Sequence, residues 1–149
     1  MRYADTCLLI SLHVRDAGSD AALAWLHARG AETVLASQWG VVEFASALGI
    51  LARHGAIDAG RHAAALERFR RFAAERLTLE PPLARDFERA AAWLERLETG
   101  LRAGDALHLA VCERRGAMLS TADDTVHAAA VALGVSAERV LPAVEVGRR

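Results

Sequence analysis

Lysine is absent from this chain: all 18 of its basic residues are arginine. Positive charge is therefore carried by planar guanidinium forks, which suit phosphate and carboxylate, although a chain rich in Arg and Ala is also what a GC-rich genome writes. The formal net charge is −1, which excludes a global basic field, so a nucleic-acid partner would have to meet a local patch. Cysteine is scarce as well. Cys7 and Cys112 each sit in an apolar segment with no CxxC or Cys/His spacing nearby, which excludes a disulfide framework and a zinc site and fits a reducing compartment. No apolar run approaches the roughly 20 residues of a membrane helix, and the CLLISL run is too brief for a signal-peptide core. These absences give the expectation of a cytoplasmic protein without a membrane partner. Neither a P-loop nor a dinucleotide-binding glycine pattern occurs, and there is no internal repeat or low-complexity linker.

What is present is a chain of 149 residues, 53% hydrophobic and 25% charged, the size of one ordinary domain spanning residues 1–149. Short apolar runs alternate with helical periodicity. A buried strand ends at Asp5 and a helix follows at once; AALAWLHARG is helical until Gly30; TVLAS is a second strand. Ser37 is placed to cap a helix over residues 38–53, with Val42, Leu48 and Leu51 on its apolar face, and Asp58 to cap another reaching about Arg76. LTL is a brief third strand. Pro81 and Pro82 open a helix carrying Phe87, Ala90, Leu94 and Leu97; a helix over 105–115, the strand AMLST, a helix over 125–133 and an edge strand at 139–141 complete the chain. Strands alternating with helices imply parallel pairing, hence an α/β fold: a three-layer α/β/α sandwich around a short-stranded, mainly parallel sheet.

Four acids stand out against this frame. Asp5 and Asp123 fall at the C-terminal ends of strands, where parallel α/β sheets open their ligand crevice. Glu43 interrupts the run VVEFASAL, and Asp105 opens the run DALHLAVC. Carboxylates at the edge of a core are costly unless paired or bound to a cation, and an all-oxygen set suits Mg²⁺ or Mn²⁺ better than Zn²⁺. Such a cation can activate water and stabilise a phosphodiester transition state. Each acid also has a plainer reading: Asp5 and Asp105 as helix caps, Glu43 as a solvent-facing residue, Asp123 as a turn residue. Asp124 competes with Asp123 for the fourth position. Thr6 and Thr121 carry hydroxyls able to orient carboxylates from a second layer. His108, one turn after Asp105, could approach the site but reads more readily as a satisfied or exposed helix histidine, and Trp25, Trp39 and Trp93 read as core or interface residues. Arg102 and Arg15 could meet phosphate, or simply solvate the surface.

YADTCLLI, VVEFASAL, LRAGDALHLAVC and LSTAD, in this order and spacing, resemble the PIN-domain nucleases, and most closely the VapC toxins of bacterial toxin–antitoxin pairs. The resemblance spans nearly the whole chain and puts Asp5, Glu43, Asp105 and Asp123 on the family's acidic positions. It implies a Mg²⁺- or Mn²⁺-dependent endoribonuclease acting on RNA, often a homodimer, held inactive by a cognate VapB-like antitoxin that lays a peptide over the crevice. Cys7 stands where many relatives have Ser. Two other classes are weighed beside it. A catalytically silent PIN-like module that binds RNA or protein would have no reason to keep four mutually repelling acids. An Asp-nucleophile phosphoryl-transfer protein would place a Lys beside the phosphoryl group, and this chain has none.

Overall fold

Alternation along the strands sets the architecture. In the computed structural model, which describes residues 1–141, β1 (Arg2–Ala4) and β2 (Val34–Ser37) are buried on both faces, as strands at the centre of a parallel sheet must be. Tyr3 and Leu35 point into one core, and Ala4, Val34 and Ala36 into the other. With β3 (Leu77–Glu80), β4 (Met118–Thr121) and β5 (Ala137–Arg139) they form a five-stranded sheet in the order β3-β2-β1-β4-β5, parallel throughout.

Helices cover both faces. On one side α1 (Thr6–His13), α2 (Ser19–His27), α3 (Gln38–Arg53) and α4 (Ala59–Arg76) enclose Leu8, Leu9, Trp25, Phe44, Leu48 and Phe69. On the other, α5 (Ala84–Leu94), α6 (Ala103–Arg115) and α7 (Asp124–Leu133) enclose Trp93, Leu107, Leu109, Val111 and Val126. The expected α/β/α sandwich is thus what the chain forms. Of the expected span 1–149, residues 142–149 lie outside the described residues.

Helix boundaries follow local chemistry. Ser37 Oγ accepts from Gly40 N–H at 3.1 Å and Asp58 Oδ1 from Arg61 N–H at 2.8 Å, the caps expected from sequence. Gly116 and Gly134 stop α6 and α7 in the left-handed conformation, at φ 57° and 75°. Several expectations are corrected. The buried face of α3 runs through Gly40, Phe44 and Leu48, while Val42 is 58% exposed; a Phe and a Leu four residues apart bury more apolar area than the alternative phase through Val42. Phe87 is exposed, and Leu97 lies beyond α5 in a 3-10 turn (Leu97–Thr99). α6 begins two residues before Asp105, α7 one before Thr125, and β5 occupies 137–139.

His13 is buried at the end of α1, hydrogen-bonded through Nδ1 to the Leu9 carbonyl at 2.7 Å and ringed edge-on by Phe44, Phe69 and Phe72. Burial lowers its pKa from the ordinary 6.5, against the Leu9 carbonyl, which raises it, and with Arg68, which lowers it. A base depressed in the folded state binds fewer protons than in the unfolded chain, so its contribution is intact above about 6.5 and lost as pH falls below it. Urea unfolding between about pH 8 and about pH 5 is expected to show a steeper loss of stability for the natural chain than for His13→Phe. Equal slopes would contradict this.

Candidate metal centre

The strand order reverses at β1: the chain runs outward to β2 and β3, then returns to place β4 on β1's other side. Such switch points open a crevice beyond the C-terminal strand ends. Here β1 delivers Asp5 and β4 delivers Thr121, with Ala4 paired to Ser120 and Asp5 N–H bonded to the Ser120 carbonyl at 3.1 Å. Two helices supply the rest, Glu43 from α3 and Asp105 from the first turn of α6. Asp5, Glu43, Asp105 and Asp123 all line one cleft of about 500 Å³, with Thr6, Cys7, Trp39 and Arg102. One wall is the outer side of α3, where Val42 and Ile50 are exposed.

Each carboxylate is held by named donors. Asp5, 5% exposed, caps α1: its Oδ1 accepts from Thr6 N–H at 2.6 Å, and its Oδ2 from the Thr121 hydroxyl at 2.6 Å and the Cys7 thiol at 3.2 Å. Thr121 Oγ1 also accepts from Asp123 N–H at 3.0 Å, so one hydroxyl joins two of the acids. Asp123 caps α7, its Oδ1 accepting from Thr125 N–H at 2.8 Å and Val126 N–H at 3.1 Å. Asp105 is the third residue of α6, its Oδ2 accepting from Arg102 N–H at 3.1 Å. Asp5 is thus the helix cap expected of it and Asp123 caps α7, whereas Asp105 is not an N-cap: α6 starts two residues earlier, and Asp105 reaches back to the N–H of the cap residue Arg102. All three still line the cleft, because such a bond occupies only some of a carboxylate's lone pairs. Asp124 turns elsewhere, to an ion pair with Arg139, and does not line the cleft.

Glu43 is held by side chains of two other helices, α1 and α6. Its Oε2 accepts from Thr6 Oγ1 at 2.8 Å and meets His108 Nε2 at 2.5 Å. From sequence His108 could approach the site but reads more readily as a satisfied or exposed helix histidine; it is satisfied, and its partner is one of the acids. It is 2% exposed, with Nδ1 2.6 Å from the Tyr3 hydroxyl. The sequence signals the burial though not the partner: ALHLAVC is apolar at every position but His108, so a helix there is enclosed all round, as α6 is, and its histidine must find internal partners.

The electrostatics match this wiring. Burial opposes charge on Glu43, but the hydrogen bond and charge of His108, with the Thr6 hydroxyl, hold its pKa below the ordinary value. Burial likewise opposes charge on His108, and the bond to Glu43 with the charges of Asp5, Glu43 and Asp105 raises its pKa nonetheless. Asp105 moves the other way: burial raises it, the Arg102 N–H lowers it, and the negative charges of Asp5 and Asp123 push it up. The Cys7 thiol is pushed up to about 12, first by burial and then by Asp5, so it is a donor to Asp5 and not a thiolate.

With His108 committed to Glu43 and Cys7 protonated, the donors facing the cleft are oxygens, the set that suits a hard divalent cation. Among the described residues, no group of three or more His, Cys, Asp or Glu side chains stands close enough together, as placed, to hold a metal ion. The four acids share an open cleft. Arg102 brings a guanidinium to its rim, whereas Arg15 lies elsewhere, paired to Asp20 at 2.6 Å. Trp25 and Trp93 are core residues, and Trp39 is half-buried at the cleft.

A family model of the PIN domain matches residues 2–132. No curated protein matches the chain. Similar solved structures include VapC20 of Mycobacterium tuberculosis, a Sarcin-Ricin loop cleaving toxin, at 20% identity and TM-score 0.64, covering 80% of this chain and 87% of that one. FitAcB from Neisseria gonorrhoeae is similar at 19% identity and TM-score 0.67, covering 92% and 96%. VapBC2 from Rickettsia felis, bound to a DNA fragment from its promoter, is similar at 13% identity and TM-score 0.68, covering 93% and 98%.

Proposed function

The chain belongs to the PIN-domain family, and from that premise we propose that it is a Mg²⁺- or Mn²⁺-dependent endoribonuclease toxin, restrained by a cognate VapB-like antitoxin and acting as a homodimer. The observation that carries the reading is the cleft itself. Four carboxylates brought together from four separate parts of the chain line one opening at the switch point of a parallel sheet, and the pKa of Asp105 is raised first by burial and further by the charges of Asp5 and Asp123. Likeness to a Sarcin-Ricin loop cleaving toxin supports RNA as the substrate, and likeness to FitAcB and VapBC2 supports an antitoxin partner.

Asp5, Glu43, Asp105 and Asp123 would hold the cation. When bound, it would supply Lewis-acid stabilisation of the phosphodiester transition state and a nucleophilic water at neutral pH. The chain's own residues do the positioning. Thr121 orients Asp5 toward the cleft and fixes the loop that carries Asp123, and Thr6 joins Asp5 to Glu43. Arg102 lies where the backbone of an incoming RNA would need a positive partner, in a molecule with no net positive charge. Cleavage of single-stranded RNA is expected with Mg²⁺ or Mn²⁺ and is expected to vanish in excess EDTA. Activity that survives the chelator would sink the proposal.

A further inference from the structure

Glu43 is a flexible residue in a fixed position, and α6 holds it there. A side chain added at Gly104 would put its first carbon 2.1 Å from Glu43 Oε1, where the carboxylate would have to move, and 3.2 Å from Glu43 Cδ, a tight contact. The missing side chain is therefore a notch that receives one carboxylate oxygen. The other oxygen, Oε2, is held by His108, four residues and about one helical turn further along α6, and by Thr6 of α1. Trp39 Nε1 is buried at the same notch, 3.1 Å from where that carbon would lie, and makes no well-formed hydrogen bond. His108 is itself anchored by Tyr3 from the central strand.

We propose that Gly104 and His108 are positioning residues for Glu43: the absent side chain of one seats Oε1, the imidazole of the other fixes Oε2, and together they aim the carboxylate into the cleft in advance of its ligand. This rests on the metal reading given above. A Glu side chain left free would surrender rotamer entropy on binding a cation, and one already held does not. The glycine is not needed by the backbone, since α6 is regular there and Ala is the better helix former. Only the notch requires it.

Gly104→Ala tests this, with Gly40→Ala as its control. Gly40 faces the same group of side chains, but a carbon added there would meet His108 and Thr6 at 3.5 Å, an ordinary contact. In the metal-free full chain, Gly104→Ala is expected to displace Glu43 and to move the imidazole ¹⁵N resonances of His108, with little change in melting temperature. Calorimetric titration with Mn²⁺ is expected to show affinity reduced about tenfold or more, the scale of losing a ligand's supporting partner. Gly40→Ala is expected to change neither reading. If Gly104→Ala matches Gly40→Ala in Mn²⁺ affinity, or leaves the His108 resonances in place, the proposal is overturned. Asp5→Asn in the same titration separates the two levels. Should it bind Mn²⁺ as the natural chain does, the metal reading fails, and the His108 resonances alone then decide whether Gly104 and His108 hold Glu43.

Discussion

Asp5→Asn is expected to abolish RNA cleavage while leaving the metal-free protein as stable as before, or more so. Asparagine caps a helix about as well as aspartate, so the bond from Thr6 N–H to Oδ1 survives, and an amide can pair with the Thr121 hydroxyl by reversing donor and acceptor. What the substitution removes is charge. Asp105 is pushed upward in part by Asp5, so neutralising Asp5 relieves repulsion in the metal-free cleft. The same charge is what a cation would need. Activity should fall by more than about a hundredfold, beyond the usual cost of losing an outer-layer partner. Single-turnover cleavage and thermal melts on the same samples check both halves. A stability loss above about 1 kcal/mol with activity retained would make Asp5 a cap and nothing more.

The largest effect on stability is expected away from the cleft, at Asp86→Ala. Asp86 is 2% exposed and does two jobs: its Oδ2 accepts from Leu83 N–H at 2.8 Å at the start of α5, and its carboxylate meets Arg114 Nε at 2.8 and 3.0 Å. Arg114 reaches on to Glu80 at 2.6 Å and the Pro81 carbonyl at 3.3 Å, and Arg115 also contacts Glu80. Removing Asp86 leaves a largely buried guanidinium short of a counter-charge, a change that typically costs about 3–5 kcal/mol. Glu80 remains as a partner, which places the expectation toward the lower end. Asp86→Asn, which can keep the Leu83 bond, should lose less. Urea midpoints for both variants check this, and a midpoint for Asp86→Ala equal to that of the natural chain would refute it.

How legible the site was depends on the kind of information each residue carries. Asp5 and Asp123 could be placed because strand ends and caps are local properties of the chain, and the parallel order follows from alternation. Asp123 is also favoured over Asp124 by its local spacing from Thr121, whereas the pairing of Asp124 with Arg139 is not visible locally. The phase of α3 was misread at Val42 because VVEF offers apolar residues in two phases, and only the pairing of Phe44 with Leu48 against the sheet selects one. The link from Glu43 to His108 spans 65 positions and arises where two helices meet, with no trace in either segment alone. Gly104 is less visible still, since its contribution is the space it leaves.

The bond from Thr121 to Asp5 spans 116 positions, and β1 has no partner on that side until β4 is in place. Asp5 leaves the ribosome well before Asp123, the last of the four acids along the chain. A growing chain that has not yet reached β4 has Asp5 without its hydroxyl partner and lacks the fourth acid altogether. Closing contacts this distant along the chain is slow relative to forming helices. The order of synthesis therefore delays assembly of the cleft: the complete set of acids exists only once the chain has been made through Asp123.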